Sequence, residues 1–154
     1  MRLTEFLDFD AIRVGVGASS KRQLLQIMAQ NAGSRLGVDA ALIVDALLER
    51  ERLGSTGFGN GVAIPHAKIA GLSTIYGLLV RLSEPLDYKA IDGMPVDLAF
   101  LLISPPDAGA AHLKALAALS RTIRNGSTLE KVRGARSRDA LAAVLMATEE
   151  RDAA

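Results

Sequence analysis

Between Arg50 and Lys68 the chain collects groups that can handle an anion beside a reacting imidazole. An arginine comes first, then Gly54, Ser55, Thr56, Gly57, Gly59, Asn60 and Gly61, then a short apolar run ending in Pro65-His66. Glycines let backbone N–H groups approach an anion closely, and arginine supplies a fixed charged fork. Imidazole can act as a nucleophile near neutral pH. Phosphoryl transfer asks a protein chiefly for positioning and charge stabilisation. The stretch therefore reads as a place where a phosphoryl group sits on, or beside, His66, with donors from Ser55, Thr56 and the Gly57, Gly59, Asn60 and Gly61 backbone. Arg50 adds charge-assisted bonds. The same residues also admit a plainer reading, a glycine-rich turn beside a structural histidine.

The second histidine, His112, falls on the first turn of a helix expected after Pro105-Pro106. It shares one flank with Leu116, Leu119 and Ile123, at the edge of a buried stripe. A helix N-terminus disfavours extra positive charge, so a largely neutral His112 able to donate toward a phosphoryl group suits that position; a packing histidine suits it too. Other chemistries fit less well. Gly57-x-Gly59-x-Gly61 follows a helix rather than a strand, unlike a dinucleotide fingerprint, and no Gly-Lys-Ser/Thr ends it as in a P-loop. Ser55 is not on a nucleophile elbow. Two distant histidines and no cysteine give no metal site.

The elements that must position these groups follow from periodicity. Ile12, Val14 and Val16 alternate as a half-buried strand. Ser19 or Ser20 caps a helix carrying Leu24, Leu25, Ile27, Met28, Ala32 and Leu36, ended by Gly37. Asp39 caps a second helix with a buried stripe of Leu42, Ile43, Ala46 and Leu47. Arg50, seven residues after Ile43, projects from that stripe, either snorkelling or committed to a site. Residues 75–82 read as a strand, and the apolar run 96–103 as one covered on both faces. A helix spans about 110–125, and Ser127 and Ser137 cap two closing helices. Helices before and after central strands predict α/β layering in one domain over residues 1–154. At 154 residues and 49% hydrophobic, the chain has material for one sizeable core. A net charge of +1 gives no case for nucleic acid or an anionic membrane. No apolar run reaches the ~20 residues of a membrane span and no signal peptide is legible, which predicts a cytoplasmic protein.

The run Leu53-Gly54-Ser55-Thr56-Gly57-Phe58-Gly59-Asn60-Gly61-Val62-Ala63-Ile64-Pro65-His66 resembles the active-site signature of the fructose/mannitol-type EIIA proteins of the bacterial phosphotransferase system, and most of all their nitrogen branch, EIIA-Ntr. The resemblance continues from Pro85 to Leu98 and through Ala111-His112-Leu113, so it covers nearly the whole chain. It departs at Ala67, where many members carry glycine.

The resemblance implies a three-layer α/β/α sandwich around a small mixed sheet. It implies that His66 is phosphorylated, with Arg50 and His112 as active-site partners, no cofactor, and no small-molecule turnover by the protein alone. The donor implied is an HPr-type carrier (NPr in the nitrogen branch). Downstream it implies either regulatory targets, such as potassium-transport or sensor kinase proteins, or an EIIB of a sugar uptake system. No attached EIIB or EIIC domain is expected. A docking rim of Phe58, Lys68 and Ile69 is expected around the histidine.

Overall fold

A computed structural model describes residues 1–153. Two short 3-10 turns, Leu3–Glu5 and Phe9–Ala11, lead into strand β1 (Arg13–Val16), helix α1 (Lys21–Leu36) and helix α2 (Ala40–Arg52). Three short strands follow: β2 (Gly57–Gly59), β3 (Val62–Ala63) and β4 (His66–Lys68). Two long ones come next, β5 (Tyr76–Leu86) and β6 (Val96–Ser104), then helices α3 (Ala110–Arg124), α4 (Gly126–Gly134) and α5 (Arg138–Ala153).

Local chemistry sets the helix boundaries. The Ser20 side chain accepts from the Gln23 amide, and Gly37 closes α1 in the left-handed conformation. Asp39 accepts from Ala41 at the start of α2, and Ser137 accepts from Ala140 at the start of α5. At α4 the cap is Asn125, whose side chain accepts from Thr128, and not Ser127 as expected. The Asn125-Gly126 pair thus ends one helix and starts the next. Leu42 also departs from expectation: it is exposed, because the α2 stripe narrows to Ile43 and Leu47.

The sheet runs β1-β5-β6-β3-β2, with β4 also on β6. β5 and β6 are antiparallel, whereas β3 and β4 pair parallel to β6 at Leu98–Ala99 and Leu102–Ser104 respectively. The sheet is therefore mixed. β6 is its centre, buried along its length apart from Asp97, which explains the near-continuous apolar run. Its alternate side chains feed two cores. Ala99, Leu101 and Ile103 pack with Leu24, Leu25, Met28, Ile43 and Leu47 of α1 and α2. Leu98, Phe100 and Leu102 pack with Ala115, Leu119, Ile123, Leu129 and Leu145 of α3–α5. The result is a three-layer α/β/α arrangement.

The glycine-rich stretch is paired structure rather than a loop. β2 and β3 make an antiparallel hairpin, and Asn60 and Gly61 at its turn both have positive φ, 57° and 79°. That backbone pattern is the one Asn-Gly favours in a two-residue hairpin.

Candidate functional site

The site forms where β4 begins and β6 ends. β3 and β4 are successive segments on one edge of β6, and Ile64-Pro65 separates them. Proline has no N–H to give a ladder, and the interruption leaves the Ile64 carbonyl to accept from the His66 ring, 2.7 Å from Nδ1. A carbonyl oxygen can only accept, so Nδ1 carries the proton and Nε2 keeps its lone pair. His66 pairs with Leu102 across the β4–β6 ladder, on the sheet face covered by α3. Ring and helix meet there: His66 lies beside a cleft of about 440 Å³ lined by Ser55, Gly57, Phe58, Ile64, Ile91 and Leu116, among others.

His112, the third residue of α3, is buried at 8% exposure and stands with its ring centroid 5.8 Å from that of His66. Its Nδ1 lies 2.6 Å from the hydroxyl of Ser104, the last residue of β6. Burial depresses the proton affinity of both imidazoles. For His66 the Ile64 hydrogen bond opposes that depression, Arg50 deepens it and Glu51 opposes it. For His112 the neighbouring His66 and Lys68 add to it. Both rings are accordingly neutral at pH 7, and the His66 lone pair is available.

This fixes a pH dependence. Protonation would consume the Nε2 lone pair, and the folded His66 takes a proton only below its ordinary value of 6.5. Attack by Nε2 on an electrophile therefore keeps more than half its rate at pH 6.5 and falls at more acid pH. Single-turnover rates between about pH 5 and 8, the range in which imidazoles titrate, check this; a rate already half lost at pH 6.5 would contradict it.

Arg50 sits in the last turn of α2, half-buried, and donates through Nη1 to the Gly54 carbonyl at 2.9 Å. Among the described residues it forms no ion pair with a carboxylate, so its charge is free to act on an incoming anion. Of the sequence-predicted loop donors, Ser55, Thr56 and Gly57 line the cleft with His66. The Thr56 amide and hydroxyl are already committed to the Glu51 carboxylate, and the Gly57 amide donates to Ser55 Oγ. The Ser55 hydroxyl keeps its proton to donate.

Gly59, Asn60 and Gly61 are not brought to the cleft, which corrects the expectation that they cradle the phosphoryl group. Their turn lies at the opposite end of β6. The Asn60 amide donates to Asp92, the Asn60 carbonyl accepts from Arg133, and the Gly61 carbonyl accepts from the Asp97 amide. Gly61 is tightly placed too, since a Cβ there would sit 2.6 Å from Arg133 Nη2. These glycines serve a hairpin. The expected rim is partly corrected as well: Phe58 and Lys68 are exposed, but Ile69 is only 3% exposed because it belongs to the core under α2. Ile91, 88% exposed, lines the cleft instead.

Two residues beside the site escaped the sequence reading. Glu51 follows Arg50 and turns inward, accepting from Lys21, Thr56 and Tyr88. Ser104 was legible only as the end of a strand. A carboxylate at a helix end next to a hydroxyl-rich turn was the available signal for the first; nothing local signalled the second. Among the described residues, no group of three or more His, Cys, Asp or Glu is arranged to hold a metal ion, and no helix is long and apolar enough to cross a membrane.

Comparison with known proteins agrees with this fold. Residues 5–147 match the family described as "Phosphoenolpyruvate-dependent sugar phosphotransferase system, EIIA 2". A nitrogen regulatory protein of Bradyrhizobium diazoefficiens is 43% identical over 145 residues, 94% of this chain and 95% of the relative. A fructose-specific EIIA component of Haloferax volcanii is 39% identical over 123 residues, 80% of this chain and 79% of the relative. The crystal structure of nitrogen regulatory protein IIA-Ntr from Neisseria meningitidis superposes with a TM-score of 0.87 at 33% identity, covering 93% of this chain and 98% of that one. The chain belongs to the EIIA 2 family of the phosphotransferase system, a family of phosphoryl carriers, and it is homologous to nitrogen regulatory proteins within it over most of its length.

Proposed function

We propose that His66 is the phosphoryl acceptor, that the donor is a phosphohistidine on an HPr-like carrier of the nitrogen branch, and that the phosphorylation state regulates binding to partner proteins. The observation that carries this reading is the Nδ1–Ile64 carbonyl bond, which frees Nε2 as nucleophile at the edge of an open cleft. As the Nε2–P bond forms, the N–P bond on the carrier breaks and its imidazole leaves with the electron pair. The positive charge developing on the His66 ring resides near Nδ1–H, which stays bonded to Ile64. Arg50, a His112 N–H and the Ser55 hydroxyl meet the phosphoryl oxygens. The carrier docks on the exposed apolar surface of Phe58 and Ile91, with Lys68 beside His66. Phosphorylation adds roughly two negative charges there, enough to reject a partner that fits the bare surface. The reading treats residues 1–154 as one domain acting in the cytoplasm.

Arg50→Ala slows transfer about 10²-fold, the scale on which one charged donor stabilises a transition state, and leaves the acceptor able to reach full phosphorylation at long times. Quench-flow transfer measurements check this; an unchanged rate removes Arg50 from the site. The reading itself is tested by incubating the protein with phosphoenolpyruvate, Enzyme I and an HPr-like carrier, then measuring intact mass. One acid-labile phosphate supports it, and none with carriers of either branch overturns it. The sugar-uptake reading is favoured by the likeness to the fructose-specific component. It predicts onward transfer from the phosphorylated chain to a separate EIIB, a step the regulatory reading does not require.

A further inference from the structure

The two histidines of the site rest their Nδ1 atoms on chemically different supports. His66 faces a carbonyl, whose only role is to accept; His112 faces the Ser104 hydroxyl, which can donate or accept. Ser104 is completely buried. Its backbone carbonyl is taken by the Ile69 amide, and among the described residues its hydroxyl has no hydrogen-bond partner other than His112 Nδ1. If the ring donated to the hydroxyl, the hydroxyl proton would be left without an acceptor in a place water does not reach, which folded proteins avoid. If the hydroxyl donates to Nδ1, both groups are satisfied by the one bond.

We propose that Ser104 is a positioning residue that donates its hydroxyl proton to His112 Nδ1 and so holds His112 as the Nε2–H tautomer. This rests on the reading of His66 as acceptor, and it gives the pair opposite tautomers. His66 presents a lone pair at Nε2 and His112 presents a proton at Nε2. One attacks phosphorus, and the other donates to the oxygens of the phosphoryl group it receives. A neutral ring held this way supplies a donor without placing a second nucleophile beside the first. The outcome depends on the last residue of β6 being a hydroxyl: an apolar residue there would leave Nδ1 unsatisfied and the tautomer undetermined.

The test is the ¹⁵N spectrum of histidine-labelled full-length protein at neutral pH, read together with single-turnover transfer from the phosphorylated carrier. Wild-type His112 is expected as Nε2–H, and His66 as Nδ1–H. Ser104→Ala is expected to shift His112 toward a mixture of tautomers and to slow transfer about tenfold, as loss of a bond that orients an active-site imidazole does. In a His112→Ala background the same substitution is expected to slow transfer no further, because its effect passes through that ring. An Nδ1–H tautomer at His112 in the wild type overturns the proposal, as does a Ser104→Ala penalty that persists undiminished without His112. Failure of wild-type protein to take up phosphate would sink the acceptor reading instead, and the tautomer spectrum would still decide the role of Ser104.

Discussion

Replacing His66 with alanine abolishes phosphoryl uptake and leaves the fold intact. The ring makes one hydrogen bond, to the Ile64 carbonyl, and stands half-buried at the edge of the cleft. The ladder that holds β4 to β6 is backbone and survives the change. The cost to stability is accordingly about 1 kcal/mol, ordinary for a partly exposed position. No other group replaces the acceptor. His112 is nearly buried, Arg50 has no nucleophilic atom, and the Thr56 hydroxyl is bound to Glu51. Intact mass under conditions that add one phosphate to the wild type checks this, with circular dichroism to verify the fold. A phosphate retained by His66→Ala would contradict it.

The second large effect is on stability, at Glu51. Its carboxylate accepts from Lys21 Nζ at 2.8 Å, from the Thr56 amide at 3.2 Å, from the Thr56 hydroxyl, and from the Tyr88 hydroxyl at 3.0 Å. Lys21 also lies 4.3 Å above the Tyr88 ring. The cluster pins the end of α2 to the start of α1 and to the turn that carries Ser55 and Thr56. Glu51→Ala leaves the Thr56 amide without its acceptor and strands the Lys21 charge. At about 1–3 kcal/mol for each buried group left unpaired, the loss comes to about 3 kcal/mol. That lowers the melting temperature of a chain this size by about 10 °C. Glu51→Gln, which keeps an acceptor oxygen, loses about half as much. A melting temperature within about 2 °C of wild type for Glu51→Ala, the shift expected of under 1 kcal/mol, would show the cluster to be incidental.

The same carboxylate sets part of the acid limb of stability. Burial alone would raise its pKa, but the bonds from Lys21 and Thr56 prevail and hold it below its ordinary value of 4.5. As pH falls below 4.5, the unfolded chain binds this proton before the folded one, so the contribution of Glu51 is present above that pH and is lost below it. Asp8 behaves alike: burial opposes, and Arg35 and Tyr76 prevail. The two imidazoles act earlier. Both are depressed in the folded state, so the unfolded chain takes up their protons first once pH drops below 6.5. Stability therefore erodes in two stages on acidification, and Glu51→Gln flattens the second.

Much of this arrangement was legible in residue order, and the gaps have physical causes. The capping serine and aspartate, the glycine that closes α1 and the apolar run of β6 each report on their own neighbourhood, so they placed the first two helices and the central strand. β5 extends beyond the expected residue 82 to Leu86, because after an irregular stretch it pairs with β6 again at Leu86–Val96. The short strands β2, β3 and β4 were read as a loop because glycine content masks pairing that depends on β6, some 35 residues away in the chain. Anion chemistry was assigned to Asn60-Gly61 for the same reason: glycine frees the backbone for a cradle or for a hairpin, and only the partners Asp92, Asp97 and Arg133 decide between them. The structure brings His66 and His112 together, ring centroids 5.8 Å apart, and sets Arg50 near enough to bear on the His66 charge; both histidines and the arginine were singled out by residue type and spacing. Glu51 and Ser104 were missed because a helix-end glutamate and a strand-end serine are ordinary until their burial is known.

Whether Nε2 of His66 takes the phosphoryl group is decided by ¹⁵N–³¹P correlation on the phosphorylated, histidine-labelled protein. The expected result is a single phosphorus coupled to Nε2 of His66, with Nδ1 still protonated against the Ile64 carbonyl. Coupling to Nδ1 of His66, or to either nitrogen of His112, would contradict it.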